Sequence, residues 1–220
     1  MNYRFTNRTG GVSTGAFASL NLGTHVGDEL SAVMENRRLV SEAIGSVQYM
    51  SQVHGNRVAI IEDIADVDPT ADALVTGIPG IALAVQVADC IPLLLSSKQS
   101  VAAVHVGRKG LVNGVAQRAV DVMREMGAEN LSAIIGPAIC GNCYEVSEEI
   151  FHEVTSIYPE AKSATRSGTP SLDLPKALAS ILRGLDIEVQ YETSCTLESE
   201  DLFSYRRDAI TGRQAGFIWL

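Results

Sequence analysis

Residues 82–97, ALAVQVADCIPLLLSS, form an apolar run that carries an acid and a thiol at its centre. A run this apolar predicts strands that are buried in a core. A carboxylate is costly to bury unless it is paired or hydrogen-bonded. Asp89 and Cys90 therefore indicate a site at this point, because packing alone would favour apolar residues at both positions.

The chain combines short β-like runs with four amphipathic segments. Helices are predicted at 31–44, 110–126 and 147–157, and a fourth opens at Asp173 and Pro175. Eight runs have strand character: RVAIIE, DALVT, IALAVQVA, IPLLL, VAAVHV, SAIIG, IEVQY and AGFIW. Strands outnumber helices and do not alternate strictly with them. This pattern favours an α+β fold of mixed α/β layers with largely antiparallel sheet.

The segment SSKQS at 96–100 has turn character and joins two of these strands into a hairpin. A turn centred near Lys98 places Cys90 and His105 within a residue or two of facing one another. Cross-strand neighbours have Cβ atoms about 4.5–5.5 Å apart, which is close enough to share an ion. His54, in the segment QVHG before another strand, is a third candidate. One thiolate and two imidazoles match a catalytic zinc site with an open fourth position.

Each of these residues also has an ordinary interpretation. A lone buried cysteine packs as a small hydrophobe, and a lone histidine in a strand is commonly a satisfied core residue. If Cys90 and the two histidines bind an ion, Asp89 has a use beside them. It would either orient a ligand histidine or act as a general acid or base.

Length and charge limit the class of protein. The 220 residues predict one domain spanning 1–220. The net charge of −9 argues against a nucleic-acid partner, which requires a basic face. No apolar run reaches the roughly 18 residues of a membrane span, and the start MNYRFTNRTGG contains no hydrophobic signal segment. We expect a cytoplasmic monomer or small homo-oligomer whose partners are small molecules.

Three further features are weaker signals. Four cysteines in a reducing compartment favour thiols or metal ligands over disulfides, and the C-x-x-C segment CGNC at 140–143 is expected to hold ordinary buried thiols. Arg8 precedes a Gly-rich turn whose N–H groups could bind an anion. Arg37 points to the apolar face of its helix, where it needs a phosphate or an internal carboxylate as partner.

Nine segments occur in an order that resembles a known family: TNRTGGVS, SLNLGTHVGD, ENRRLV, QVHG, ADALVTGIPGIALAVQVADCIPLLL, VAAVHVG, GPAICGNCYEV, CTLESEDLFSYRRD and TGRQAGFIWL. Together they are similar to the YfiH/YlmD family, long labelled multicopper polyphenol oxidases (laccases) and now described as zinc-dependent purine nucleoside phosphorylases. The family's zinc ligands fall at His54, Cys90 and His105. The implied fold is a layered sandwich similar to the catalytic domain of cytotoxic necrotising factor.

The resemblance also implies an activity. It implies phosphorolysis of adenosine, inosine, guanosine and methylthioadenosine, together with deamination of adenosine to inosine. Asp89 is our candidate catalytic residue for the deamination, as a proton carrier, because it lies beside a candidate ligand. The family motif HAGWRG reads HVGRKG here, so Arg108 and Lys109 replace a Trp and an Arg. The candidates for binding substrate or phosphate are Arg8, Asn21, Arg37, Arg108 and Lys109.

Three alternatives remain open at the level of sequence. Two imidazoles and a thiolate also suit copper, although four histidines are too few for a multicopper oxidase. Cys90 and His105 could instead form the nucleophile and base of a cysteine hydrolase that edits peptidoglycan. A non-enzymatic protein stabilised by zinc would unfold when the ion is removed.

Overall fold

The structure is a computed structural model that describes residues 2–192 and 194–220. Its strands are β1 (Asn2–Phe5), β2 (Ser46–Gln48), β3 (Val58–Ile60), β4 (Ala73–Thr76), β5 (Ile81–Val87), β6 (Ile91–Ser96), β7 (Val101–Val106), β8 (Ser132–Ile135), β9 (Lys162–Ala164), β10 (Pro170–Leu172), β11 (Glu188–Tyr191) and β12 (Gln214–Trp219). The helices are α1 (Leu30–Ile44), α2 (Arg108–Val112), α3 (Val115–Glu125), α4 (Glu148–Ile157), α5 (Leu174–Gly184) and α6 (Tyr205–Asp208).

Most strands lie in two sheets that pack face to face. The smaller has the order β1-β12-β5-β2 and the larger the order β11-β8-β6-β7-β4-β3. The pairs β2–β5, β3–β4 and β8–β11 are parallel, and the other pairs in these two sheets are antiparallel. This mixed, mainly antiparallel arrangement confirms the predicted fold class.

Apolar residues fill three interfaces and so create four layers. Leu83, Val85 and Leu94 belong to the core between the two sheets. A larger core lies between the six-stranded sheet and helices α2, α3 and α5, and a small one lies between the other sheet and α1. Every residue of β5, β6 and β7 is buried, as expected for strands covered on both faces.

The predicted helix over 110–126 is wrong in one respect. The structure divides it into α2 and α3, because Gly114 adopts a left-handed conformation with φ of +73°. Such a conformation ends a helix, and glycine adopts it without steric cost. The helix predicted at 31–44 is confirmed as α1. Ser147 and Asp173 cap α4 and α5 through their side chains, at the helix starts that the sequence predicted.

The turn at 97–100 is confirmed, with the Ser97 amide donating to the Ser100 carbonyl at 2.9 Å. Strands β1, β2, β9 and β10 were missed because runs of three or four residues carry little periodicity. Within residues 2–192 and 194–220, no helix combines the length and the apolar character that crossing a bilayer requires.

Candidate metal centre

Three strand ends bring the candidate ligands together. His54 lies in the loop before β3, Cys90 between β5 and β6, and His105 near the end of β7. One donor atom from each of the three side chains lies within 4.8 Å of the other two. Cys90 Sγ is 3.8 Å from His54 Nε2, and the two imidazole rings meet edge to face with centroids 4.7 Å apart.

The apolar run 82–97 does not continue as one strand through Asp89 and Cys90. β5 ends at Val87 and β6 begins at Ile91, and Asp89 has a φ of +93°. That region is costly for a residue with a side chain and is found preferentially at functional sites. Asp89 and Cys90 therefore occupy a short turn between two buried strands, which presents them to one cavity.

Asp72, a residue that sequence reasoning missed, orients both histidines. Its carboxylate is fully buried and accepts hydrogen bonds from the backbone N–H groups of Val53, His54 and Gly55 at 3.3, 2.9 and 2.7 Å. His105 Nδ1 lies 2.9 Å from Asp72 Oδ1, which leaves Nε2 as the ligand atom of that ring. A carboxylate behind a ligand histidine fixes its tautomer and orientation.

The same carboxylate explains an unusual backbone conformation. His54 has a φ of +58°, which lets three successive amides converge on the two oxygens of Asp72 and form an anion nest. Burial alone would raise the pKa of Asp72, but the hydrogen bonds from His105 and Gly55 outweigh it and hold the pKa below its usual value. Asp72 therefore stays ionised beneath the ligands.

The thiol and the buried imidazole form a charged pair. Burial opposes ionisation of Cys90, but His105 and His54 lower its pKa to about 6. Burial opposes protonation of His105, but Cys90 and Asp72 raise its pKa to about 9. The thiolate is the form of cysteine that binds metal. The positive charge that stabilises it here is the proton on His105, and a bound metal cation would supply that charge instead.

Gly107 makes room for the three candidate ligands. A Cβ atom at this position would lie 2.9 Å from Cys90 Sγ and 3.1 Å from His54 Cδ2. Both distances are shorter than ordinary van der Waals contact, so a larger residue would displace two ligands. The site fits a bound transition-metal ion in four respects: the donor types, their separation, the carboxylate behind His105 and the space left by Gly107.

A cavity of about 300 Å³ opens beside the three ligands. Its walls also contain the following residues: His25, Gln52, Gln86, Val87, Ala88, Asp89, Tyr144, Tyr205, Arg206 and Arg213. A volume of this size is at the lower end of small-molecule sites. The mixture of two aromatic rings, two guanidinium groups and amides suits a flat, polar ligand with an anionic group.

Asp89 binds the C-terminal segment that forms one wall of the cavity. Its Oδ1 accepts from the hydroxyls of Thr196 at 2.6 Å and Ser204 at 2.7 Å, and its Oδ2 accepts from the backbone N–H of Arg206 at 2.7 Å. The structure thus places Asp89 next to Cys90 but gives its carboxylate three partners in the C-terminal segment. Oδ2 accepts one of these hydrogen bonds and Oδ1 accepts two.

The five residues predicted to bind substrate or phosphate lie outside the wall of this cavity. Arg37 is directed inward, as its helix position indicated, but it pairs with Asp68 at 3.3 Å and stacks 3.8 Å above the Tyr49 ring. Its Nε also donates to the Leu22 carbonyl at 3.0 Å. Arg8 donates to the carbonyl of Ala18 at 2.9 Å.

Two of the other three residues, Asn21 and Arg108, also contact the scaffold. Asn21 is buried, and its Oδ1 accepts from the Arg213 backbone N–H at 2.9 Å. Arg108 donates to Glu153 at 3.2 Å, and Lys109 is exposed at the start of α2. Arg213, which no motif had singled out, reaches the cavity instead.

Comparison with known proteins identifies the family of this chain. A family model described as multi-copper polyphenol oxidoreductase laccase matches residues 2–220. The chain belongs to this family. A purine nucleoside phosphorylase of Streptomyces coelicolor is 46% identical over the whole of this chain and 95% of its own length. Another from Corynebacterium glutamicum is 44% identical over 98% of this chain and 93% of its own.

Solved structures of this YfiH family share the fold. A protein of Neisseria meningitidis superposes with a TM-score of 0.91 at 38% identity, covering 99% of this chain and 93% of its own. The YfiH protein of Bacillus licheniformis superposes with a TM-score of 0.90 at 29% identity, covering 98% and 91%. The resemblance to the YfiH/YlmD family is therefore confirmed.

Proposed function

We propose that the protein is a zinc-dependent purine nucleoside phosphorylase. It would convert adenosine, inosine, guanosine or methylthioadenosine and phosphate to the free base and a ribose 1-phosphate. The observation that carries this proposal is that the ligands His54, Cys90 and His105 open into a cavity whose other walls offer aromatic rings and cations. Full-length similarity to proteins named purine nucleoside phosphorylase supports it.

The donor set supports zinc over a multicopper centre. Two imidazoles and one thiolate leave a fourth position for substrate, as in catalytic zinc sites. A multicopper oxidase needs a further cluster with several imidazoles, and the chain has four histidines in total. One of them, His152, lies on α4 and is three-quarters exposed beside Glu148. Too few histidines therefore remain for a second copper cluster.

The residues lining the cavity include groups suited to bind the purine base and the phosphate. The rings of Tyr144 and Tyr205 provide stacking surfaces for a purine. Gln86 Nε2 is buried, lines the cavity and has no hydrogen-bond partner among the described residues. An orphaned buried donor is costly, so an acceptor on the substrate would complete it. The Arg213 and Arg206 guanidinium groups would hold phosphate.

Phosphorolysis needs little beyond this placement. A phosphate oxygen forms a bond to C1′ while the C1′–N9 bond breaks, and the purine leaves with the electron pair and takes up a proton. The guanidinium groups hold the nucleophile against the sugar, and the aromatic walls exclude water from the competing hydrolysis. A zinc ion, when bound, supplies Lewis acidity that polarises the substrate.

The proposal includes deamination of adenosine at the same site. Water would add to C6 and ammonia would leave, which requires one group to accept a proton and return it. Asp89 is the carboxylate on the cavity wall, and its Oδ2 accepts one hydrogen bond where Oδ1 accepts two. We assign that role to Asp89.

The direct test is incubation of the purified protein with adenosine, with and without phosphate, followed by chromatography. Without phosphate, inosine alone is the expected product. With phosphate, adenine and ribose 1-phosphate should also form, and part of the inosine should be converted to hypoxanthine. Removal of metal by a chelator should stop both reactions, and added zinc should restore them. Turnover of phenolic substrates with copper, and none of nucleosides, would contradict the proposal.

Arg213 and Arg37 can be compared to locate the phosphate. Arg213→Lys is expected to raise the KM for phosphate at least tenfold, because lysine cannot reproduce a bidentate guanidinium contact. Arg37→Lys is the matched control. Both guanidinium groups donate hydrogen bonds to the scaffold, but only Arg213 lines the cavity. Initial rates at varied phosphate concentrations measure both. If the KM for phosphate rises only in Arg37→Lys, phosphate binds on the helix α1 side instead.

A further inference from the structure

A second group of metal-type side chains lies outside the cavity. Cys140 and Cys143 occupy the turn that follows β8, and Cys195 and Glu198 come from the segment after β11. One ligand atom from each of these four residues lies within 4.8 Å of the other three. All four cysteines of the chain, including these three, are free thiols.

We propose that Cys140, Cys143, Cys195 and Glu198 form a second, structural zinc site. The C-x-x-C spacing is typical of zinc ligands, and four ligands without an open position are typical of structural sites. Zn–S bonds of about 2.3 Å put the sulfurs of a tetrahedral site about 3.8 Å apart. Since no two of the four ligand atoms lie more than 4.8 Å apart, a contraction of at most about 1 Å reaches this geometry.

The backbone around the cluster is arranged as in a metal-binding turn. The amides of Cys143 and Tyr144 both donate to the Cys140 carbonyl at 3.0 Å, which folds the C-x-x-C segment so that its two thiols point the same way. The Cys140 amide also points at Cys195 Sγ, at 3.4 Å. These contacts bring the three sulfurs to one side of the turn, within 4.8 Å of one another.

The fourth residue distinguishes this cluster from an ordinary group of buried thiols. Glu198 is exposed, yet one oxygen of its carboxylate lies within 4.8 Å of the three sulfurs. Arg166 donates to Oε1, and Oε2 is the oxygen outside that pair. A disulfide would join two of the thiols and leave the carboxylate without a role, whereas a divalent cation uses all four groups.

The position of the cluster gives the second ion a purpose. Residues next to its ligands contact Asp89: the Ile139 amide donates to the Asp89 carbonyl at 3.0 Å, and Thr196 donates to its carboxylate. Tyr144, which follows Cys143, lines the cavity. A zinc ion would therefore fix together the two chain segments that build this wall, at a distance from the three ligands of the first site.

Metal content of the reduced, full-length protein tests the proposal. Wild type is expected to hold two zinc ions per chain, Cys143→Ser one, Cys90→Ser one, and the double variant none. Cys143 is partly exposed, so serine at this position leaves the core intact. Substitution of zinc by cobalt gives a second readout, since sulfur-to-cobalt absorption at a three-thiolate site should be about three times that at a one-thiolate site. Glu198→Gln is expected to weaken zinc binding at the second site but not the first.

Other results would overturn the proposal. One zinc per chain in wild type, lost in Cys90→Ser and unchanged in Cys143→Ser, would show that the three thiols bind no ion. A mass lower by two protons in protein prepared without reductant, with loss of free thiols at Cys140 or Cys143, would identify a disulfide pair instead. Neither result depends on nucleoside turnover, so the test is independent of the proposed function.

Discussion

Replacing Cys90 with serine should remove one metal equivalent and reduce nucleoside turnover about a thousandfold. A serine hydroxyl does not bind zinc as a thiolate does, and the loss of metal removes several kcal/mol of transition-state stabilisation. Metal analysis and chromatography of adenosine products measure the two effects. Loss of metal with unchanged turnover would show that chemistry proceeds without an ion at this site.

The fold should survive this substitution. Cys90 contacts the inter-sheet core only from its edge, and the buried strands on either side of it do not depend on an ion. Circular dichroism and thermal unfolding of Cys90→Ser should therefore match those of wild type stripped of the same ion. An unfolded variant, or unfolding of wild type on chelation of the first site, would favour a protein that uses zinc for stability alone.

An activity assay with and without a chelator distinguishes the metal enzyme from a cysteine hydrolase. A Cys90 nucleophile would need no ion, so a chelator would leave its activity intact. The structure places Cys90 Sγ beside two imidazoles and not one. Asp72 on His105 Nδ1 would orient a metal ligand and a general base equally well. The second imidazole, His54, therefore favours a ligand set over a nucleophile and its base.

Much of the layered fold could be predicted from sequence because its central strands are unbroken apolar runs. The three ligand candidates were also accessible, since each lies where such a run meets a polar or Gly-rich segment. The hairpin register places Pro92 opposite His105, two residues from Cys90, as the turn at 96–100 predicted. Local patterns were sufficient for these features.

Contacts between distant segments could not be predicted in this way. Asp72 lies 33 residues before His105 and precedes an ordinary buried strand, so no spacing connects the two. The left-handed conformations of His54 and Asp89 have no sequence signature either. The inward direction of Arg37 was predictable from helix periodicity, but its partner, Asp68, depends on how the loop after β3 folds back.

Asp72→Asn should weaken zinc binding at the first site by about 10- to 100-fold, the usual cost of losing a group that orients a ligand. In the wild type Oδ1 accepts from His54 and His105, and Oδ2 accepts from Gly55. An amide NH₂ in place of either oxygen would face an N–H donor, so the loop and the His105 ring would lose their fixed positions. Competition with a chromophoric chelator, in a Cys143→Ser background, measures the affinity of the first site alone.

Asp89→Asn is the matched control for this prediction. Asp89 is also buried and accepts three hydrogen bonds, against four at Asp72, but its donors are Thr196, Ser204 and Arg206 and none of them is a candidate ligand. Its substitution should leave zinc affinity within a few-fold of wild type while deamination of adenosine is lost. If Asp89→Asn keeps full deaminase activity, Asp89 is not the proton carrier.

Measuring the stability of both variants shows whether a loss of zinc affinity comes from the carboxylate itself or from general damage to the core. Each substitution leaves a buried donor poorly paired, which costs about 1–3 kcal/mol, so both variants should unfold at lower denaturant concentration than wild type when stripped of metal. A zinc affinity that falls equally in both would mean that the first site responds to loosening of the scaffold as a whole. A fall confined to Asp72→Asn would show that the carboxylate acts through the two histidines it holds, because the two variants share the chemical change and differ in what the carboxylate contacts.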